Sequence, residues 1–514
     1  MDTRRDSGIG RAGIVARVAR GLIIGAFAVA LLGPTAPVGA TVITVTSTAD
    51  DFTNNGNCTL REAIASANGN FARDACTAGS NTETDEVVLA DGAVYSLVIP
   101  FSGPDTGPLV VTNNTATFDL TLRVANDGEA TISQDAVPDT HVIVVQTNAR
   151  LRVFDVKVTG GFVSTGNGPG GGISVLNGAQ LGLERCEVSD NVSQNGGGGV
   201  GAFQGATVTA VDTVFRRNLA NDSGGAIVSG SNTSVLLQRA RFVDNHAIGQ
   251  FSNGGALGIA AQTSIVDTVF INNSAAGGGG ALSYFHDVAD QSSITNSCFI
   301  GNQGKFDGNA VQVFGGSTVL NARSNWWGAS NGPSGVGPGV GDGVGADVDF
   351  AFDLDGPPTA CLPMPLLANG GFEIDLDGDS RPDRWTPGQL TSADGLRCGK
   401  RGCSMRIFGN AASKSIQQIM PVRGNAGDLL TFKARADAKD VPTGTQAFRV
   451  RFTILHEDDT KQDVIANFNA GTHAFKAFAQ QVAAAKAYKR ITARVEFARP
   501  SGRARFDDVT VTRN

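Results

Sequence analysis

The chain has 514 residues, enough for two or three domains, and 67 are glycine while the apolar share is an ordinary 41%. That pairing excludes a collagen-like or disordered chain, because neither carries so much apolar material. The net charge of −7 excludes an overall basic footprint for nucleic acid or acidic lipid, and on average it offers an acidic polysaccharide nothing.

At the start, Arg4, Arg5, Arg11, Arg17 and Arg20 precede the apolar run GLIIGAFAVALLG, and PTAPVGA follows it. A basic segment, a core too short to span a bilayer and small residues before a cut after Ala40 predict a signal peptide over 1–40 and an exported protein. In an exported chain, seven cysteines predict disulfides with one thiol left over. Cys58 and Cys76 flank one short segment, and Cys398 and Cys403 bracket GKRG, so these are the expected bridges. Spacing alone does not fix the pairing, and it leaves Cys186, Cys298 and Cys361 open.

The segment NCTLREAIASANGN (57–70) reads as a helix. Thr59 with Glu62 three residues on is a capping box. Leu60, Ala63, Ile64 and Ala67 form an apolar stripe, and Asn68-Gly69 supplies the stop. Glu62 therefore has a backbone role, and Arg61 falls off the stripe. We read this as a lid helix over an open-ended array.

From residue 185 a period is plain: VSDN, FRRN, FVDN, FINN and FIGN begin at Val188, Phe215, Phe242, Phe270 and Phe299, in steps of 27, 27, 28 and 29. A Gly-Gly-Ala-aliphatic element follows each, degenerating to GNAV. Short apolar strands between Gly and Asn turns, with no helical half, predict the coils of a right-handed parallel β-helix. Aligned copies read as ladders. The Phe position stacks inward, and Cys186, Thr213, Ala240, Thr268 and Ser297 are small inward neighbours, with Cys186 a buried thiol. Asn191, Asn218, Asn245, Asn273 and Asn302 form a turn ladder, since Asn tolerates left-handed backbone and its amide can bond to the next coil. Arg185, Asp212, Arg239, Asp267 and Asn296 alternate charge up the stack, as paired neighbours should.

Beyond GPPTACLPMP (356–365), a linker by composition, alternating segments such as AFRVRFTIL and ITARVEFA predict an antiparallel β-sandwich. QQVAAAKAYKR fits a short helix or an Ala-rich strand edge. Asp375, Asp377, Asp379 and Asp383 follow positions 1, 3, 5 and 9 of a calcium loop, although Ser380 and Thr386 stand where an EF-hand has Gly and Glu.

NGNCTLREAIASANGN, preceded by TVTSTADD, resembles the CSLREA domain found at the start of exported β-helix proteins. The F-x-x-N and G-G-A-aliphatic pairs resemble repeats of the chlamydial polymorphic outer-membrane proteins, and SNWWGASNGPSG (324–335) resembles their closing element. ANGGFEIDLDGDSRPDRW and RARFDDVTVT resemble the two ends of a galactose-binding-like jelly roll of carbohydrate-binding modules. That second resemblance implies a structural Ca²⁺ held by Glu373 and one of Asp507 or Asp508.

The expected organisation is all-β: signal peptide 1–40, N-terminal cap 41–84, parallel β-helix 85–355, linker 356–365 and jelly-roll sandwich 366–514. The function read from it is an exported, non-catalytic monomer for surface attachment or for binding extracellular polysaccharide or a cell-surface glycan. The alternatives are a polysaccharide lyase or glycoside hydrolase with an accessory binding domain, and a structural envelope spacer. The five histidines have no metal spacing, and no known pectinase or epimerase motif is present. A lyase needs a base beside carboxylates, and Asp190, Arg217 and Asp244 come nearest to that, with His286, Asp287 and Asp290 a second cluster.

Overall fold

The computed structural model describes residues 41–514 apart from 103–105, 113–119, 136–138, 286–291, 306–308, 316–318, 359–360, 362–363, 368–369, 373–378, 383–384, 399–402, 411, 421 and 423. The expected signal peptide lies outside the described residues, as does the His286 cluster.

Helix α1 (Leu60–Gly69) carries the capping box in full: Glu62 N donates to Thr59 Oγ1, and Thr59 N donates to Glu62 Oε2 at 3.0 Å. The helix stops one residue later than expected, at a left-handed Asn70. It packs against the strands Thr41–Thr44, Asp85–Leu89 and Leu109–Val111. Arg61 is buried, with Nε 2.7 Å from Asp50 Oδ1 and Nη2 donating to Gly107 O at 3.0 Å. Arg61 therefore locks the helix to neighbouring loops.

From there to residue 349 the chain winds as a parallel β-solenoid, with sheets of 11, 10, 8 and 6 strands among the described residues. Register is kept from coil to coil, as in Leu181↔Val208↔Val235, so inward residues stack on inward residues. The Gly-Gly elements follow from the same stacking. Gly224 sits at φ +69°, and a Cβ on Gly225 would lie 2.2 Å from Gly255 O on the next coil.

The core ladder is continuous. Phe215, Phe242, Phe270 and Phe299 stack at centroid spacings of 4.8, 5.0 and 4.9 Å, and Trp327 closes the stack 4.6 Å beyond Phe299. The small neighbours expected beside them are buried, Cys186 among them.

The Asn ladder is buried and bonded at every step. From Asn218 onward each Oδ1 accepts from the backbone N and the Nδ2 of the Asn one coil before, as Asn273 does from Asn245 at 3.0 Å each, and Asn191 accepts from Gly161 N. Each Nδ2 also donates to a carbonyl, as Asn245 does to Phe215 O at 2.9 Å. One detail differs from expectation. The left-handed residue is the one before each Asn: Asp190, Arg217, Asp244 and Asn272 have φ of +58, +52, +54 and +55°. The ladder Asn themselves are not left-handed, and their amides bond along the stack.

The sandwich has two antiparallel sheets, one ordered Thr386–Gly388, β1 (Lys414–Met420), β4 (Tyr488–Phe497), β2 (Phe448–His456), β3 (Lys461–Asn467). The segment QQVAAAKAYKR is no helix: it runs from the end of the strand Gly471–Ala483, at the edge of the other sheet, through a turn at 484–487 into β4. The composition-defined linker is tied down: Cys361 is bonded to Cys298, and Met364–Pro365 pairs with the last strand, Arg503–Arg513. The fold is thus all-β, a parallel solenoid followed by an antiparallel sandwich, as expected.

The two parts share an apolar cluster. Val269, Ile271, Cys298, Ile300 and Trp326 of the solenoid are buried with the sandwich core. These residues point outward while Phe270 and Phe299 between them point inward. On earlier coils the same outward positions hold Glu187 and Ser189, then Val214 and Arg216, then Arg241 and Val243. The docking face is therefore where both outward positions of a coil become apolar, each of the three coils before it carrying at least one polar residue there.

Candidate functional site

The solenoid's candidate catalytic groups sit on a structural corner. Arg217 grips Asp190 across one coil spacing, with Nε–Oδ1 at 2.7 Å and Nη2–Oδ2 at 2.8 Å. Asp244 occupies the equivalent corner one coil on, and its backbone N donates to Ile271 O at 3.0 Å. The charge-alternating ladder behaves alike: Arg239 pairs with Asp212 through two bonds of 2.7 Å, Arg185 pairs with Asp155, and Asn296 bonds Asp267. All six residues of these pairs have φ between +50 and +61°. Both ladders use charge to hold left-handed corners together. The structure gathers Asp190 with Arg217.

The calcium candidates divide. Glu373, Asp375, Asp377 and Asp383 lie outside the described residues. Asp379 accepts from Arg381 N at 2.8 Å. Asp507 and Asp508 both face Arg435, at 2.7 and 2.9 Å. Burial raises the Asp507 carboxyl above the usual range while Arg435 pulls it back. Among the described residues no group of three or more His, Cys, Asp and Glu is gathered as metal ligands. The three disulfides are Cys58–Cys76, Cys298–Cys361 and Cys398–Cys403, and Cys186 is the free thiol.

Two features of the surface bear on binding. All three Trp and all three Tyr are buried, so neither residue type offers a sugar ring a stacking platform. Charge is also segregated. Residues 366–514 carry 23 Lys and Arg against 16 Asp and Glu, whereas residues 41–365 carry 13 against 30. The balance of −7 conceals a basic sandwich on an acidic solenoid.

On the sandwich, the outer face of the sheet β1–β4–β2–β3 follows from period-2 alternation. Its cross-strand rows run Ser415–Glu496–Arg449–Asn467, then Gln417–Arg494–Arg451–Ile465, then Ile419–Thr492–Thr453–Asp463. A fourth row joins Arg490, Leu455 and Lys461. Arg451 and Arg494 are thus directly opposite on neighbouring strands, an arrangement that costs energy without an anion beside it. That anion is Glu496. It pairs with Arg449, and lies 3.6 Å from Arg451 Nη2 and 3.5 Å from Arg494 Nε. One carboxylate faces three guanidiniums. Alternation is legible in each strand's sequence, but which charges share the wet face depends on the pairing of Glu496 with Arg449 and of Arg494 with Arg451, which strands far apart in sequence do not reveal.

At the seam between solenoid and sandwich lies a cavity of about 420 Å³, lined by Asn302, Gln303, Asp342, Gln418 and Ile419 among others. Asp342 caps the Asn ladder, its Oδ2 accepting from Asn302 N and Nδ2 at 2.9 and 2.7 Å.

No family model matches the chain, and no curated protein matches it. Among solved structures, the carbohydrate-binding module TmCBM61 in complex with β-1,4-galactotriose is 14% identical over 29% of this chain and 99% of its own, with a TM-score of 0.22. A family 16 carbohydrate-binding module is 12% identical over 28% of this chain and 98% of its own, with a TM-score of 0.22. The enzymatically active domain of bacteriophage CBA120 tailspike protein 4 is 10% identical over 84% of this chain and 64% of its own, with a TM-score of 0.24.

Proposed function

We propose that this is an exported, non-catalytic protein that attaches to extracellular polysaccharide or a cell-surface glycan through its C-terminal sandwich, with the solenoid as a rigid arm. The observation that carries the reading is a contrast in how charge is used. On the solenoid, Asp190–Arg217 and Asp212–Arg239 are closed bidentate pairs that hold corners. On the sandwich, Arg449, Arg451 and Arg494 crowd around Glu496 on one sheet face, with Asp463 beside Arg451 the only other carboxylate in those rows. Three disulfides support export, since such bonds persist in oxidising compartments. The packing of α1 against the first strands supports its role as a lid, in keeping with the resemblance to the CSLREA domain.

The test is co-sedimentation of the mature chain with neutral and acidic polysaccharides, in calcium and in chelator, while new chain ends are assayed in the same tubes. Binding without release of ends is expected. Release of ends would overturn the non-catalytic reading, and Asp190→Asn would then be the first variant to make.

A further inference from the structure

We propose that the outer face of the sheet β1–β4–β2–β3 binds a polyuronate, a polysaccharide whose sugars carry carboxylates. The inference rests on the glycan-attachment reading and names the class of glycan. Two routes to sugar recognition are open to a protein: stacking rings on aromatic faces, or hydrogen-bonding and pairing with polar groups. The first is closed to Trp and Tyr here, since all six are buried, and none of the four rows contains an aromatic residue. A neutral chain therefore finds little to hold it on this face. A charged one finds five cations, Arg449, Arg451, Arg490, Arg494 and Lys461, against the carboxylates of Glu496 and Asp463.

The geometry selects a carboxylate. Glu496 already occupies the centre of the arginine group, so this face demonstrably accommodates a planar carboxylate among its guanidinium forks. Glu496 is largely covered, its side chain 15% exposed, whereas Arg494 is 45% exposed and Arg451 32%. The guanidiniums that share the internal carboxylate thus keep surface for an external one. Opposed Arg451 and Arg494 share Glu496, and Arg451 also lies 3.6 Å from Asp463, but the five cations of the face still outnumber its two carboxylates, so a uronate adds the negative charge that a neutral sugar does not. A sheet face with cations in three of its four rows along the strands also suits a polymer that presents its charge repeatedly. The opposite sheet differs: there Arg435 and Arg505 flank Phe475, and Asp437, Asp507 and Asp508 pair with the arginines.

The test measures binding of the full mature chain to immobilised polygalacturonate, to the same polymer fully methyl-esterified, and to dextran sulfate, over a series of salt concentrations. Polygalacturonate is expected to bind at least ten-fold more tightly than its ester, with affinity falling as salt rises. The variant Arg451→Gln/Arg494→Gln should lose at least ten-fold, and Lys433→Gln on the other sheet should change nothing. Glu496→Gln removes the internal competitor and should tighten binding several-fold, a gain that misfolding cannot imitate. Equal binding of acid and ester overturns the inference while glycan attachment stands; binding of none of the polymers overturns both. Dextran sulfate bound far more tightly than polygalacturonate overturns the choice of carboxylate. Low-salt self-association lost in the arginine variant, with no polymer bound, would instead assign the face to the acidic solenoid of a second copy.

Discussion

Cys186 is the one cysteine without a disulfide partner, and its surroundings decide its chemistry. It lies in the solenoid core with Sγ 3.3 Å from Val153 O, and burial pushes its thiol up to about 12. A thiol with that value holds almost no thiolate at neutral pH, and thiolate is the reactive form. Iodoacetamide should therefore leave the folded chain unlabelled and add one label per chain once it is unfolded without reductant. Labelling of the native protein would contradict the burial. Asp85 presents the opposite case, a group whose environment penalises folding at neutral pH. Burial at the start of its strand raises its carboxyl to about 6 from 3.8, and Ser80 N, donating at 2.8 Å, offsets only part of that. Between those two values the folded state holds the proton more firmly than the unfolded state does. Stability from this group is therefore greatest at low pH and falls as pH rises through that window. Asp85→Asn keeps an oxygen for Ser80 N and removes the charge. It should stabilise the protein by about 1 kcal/mol at pH 7, less than a full shift implies because solvent screens the group. Urea melts at pH 4 and pH 7 check this, since the gain should vanish at the lower pH.

The repeating coil is the level at which sequence and structure agree best. Phe at every 27 to 29 residues predicts an inward stack, and the stack exists because parallel strands in register place identical side chains one strand spacing apart. The Asn ladder was legible for the same reason. Its left-handed corner was not, because tolerance of positive φ is a property of Asn in isolation, and the stack needs Asn for its amide. The corner falls on Asp190, Arg217 and Asp244, whose charges had marked them as candidate acids and bases. Two ladder variants measure what the coil depends on. Asn245→Ala strands Phe215 O and the Asn218 amides inside the core, and should cost about 4 kcal/mol. Phe242→Ala opens a cavity between Phe215 and Phe270 and should cost a similar ~3–5 kcal/mol. Asp190→Asn, by contrast, weakens one exposed ion pair and should cost under about 1 kcal/mol. Chemical denaturation of the three variants tests that ranking, and a large loss at Asp190 would show that the corner pairs carry more than exposed ion pairs usually do.

Across the whole molecule, what the repeat hid was where it stops being a repeat. Trp326 and Trp327 are adjacent yet serve different cores: Trp327 closes the aromatic stack, and Trp326 faces out into the cluster shared with the sandwich. Val269, Ile271, Cys298 and Ile300 prepare the same seam, and the Cys298–Cys361 bond crosses it with a sequence separation of 63. Reading only the inward positions of each coil finds the ladder and misses this outward face. A loop of that length, once closed, is worth about 4 kcal/mol in the chain-entropy account, and the apolar seam adds the burial of a Trp side chain. The two parts should therefore unfold together, giving one calorimetric transition. Cys298→Ala/Cys361→Ala with Trp326→Ala should split it in two, with the sandwich melting apart from the longer solenoid. None of the face's arginines lines the seam cavity, so polygalacturonate should still bind the uncoupled protein and raise only the sandwich transition. A single transition that merely moves to lower temperature would mean the remaining seam holds the parts together. Two transitions already present in the unaltered protein would mean the seam never coupled them, and the solenoid would then be a tether for the sandwich, with no part in fixing its orientation.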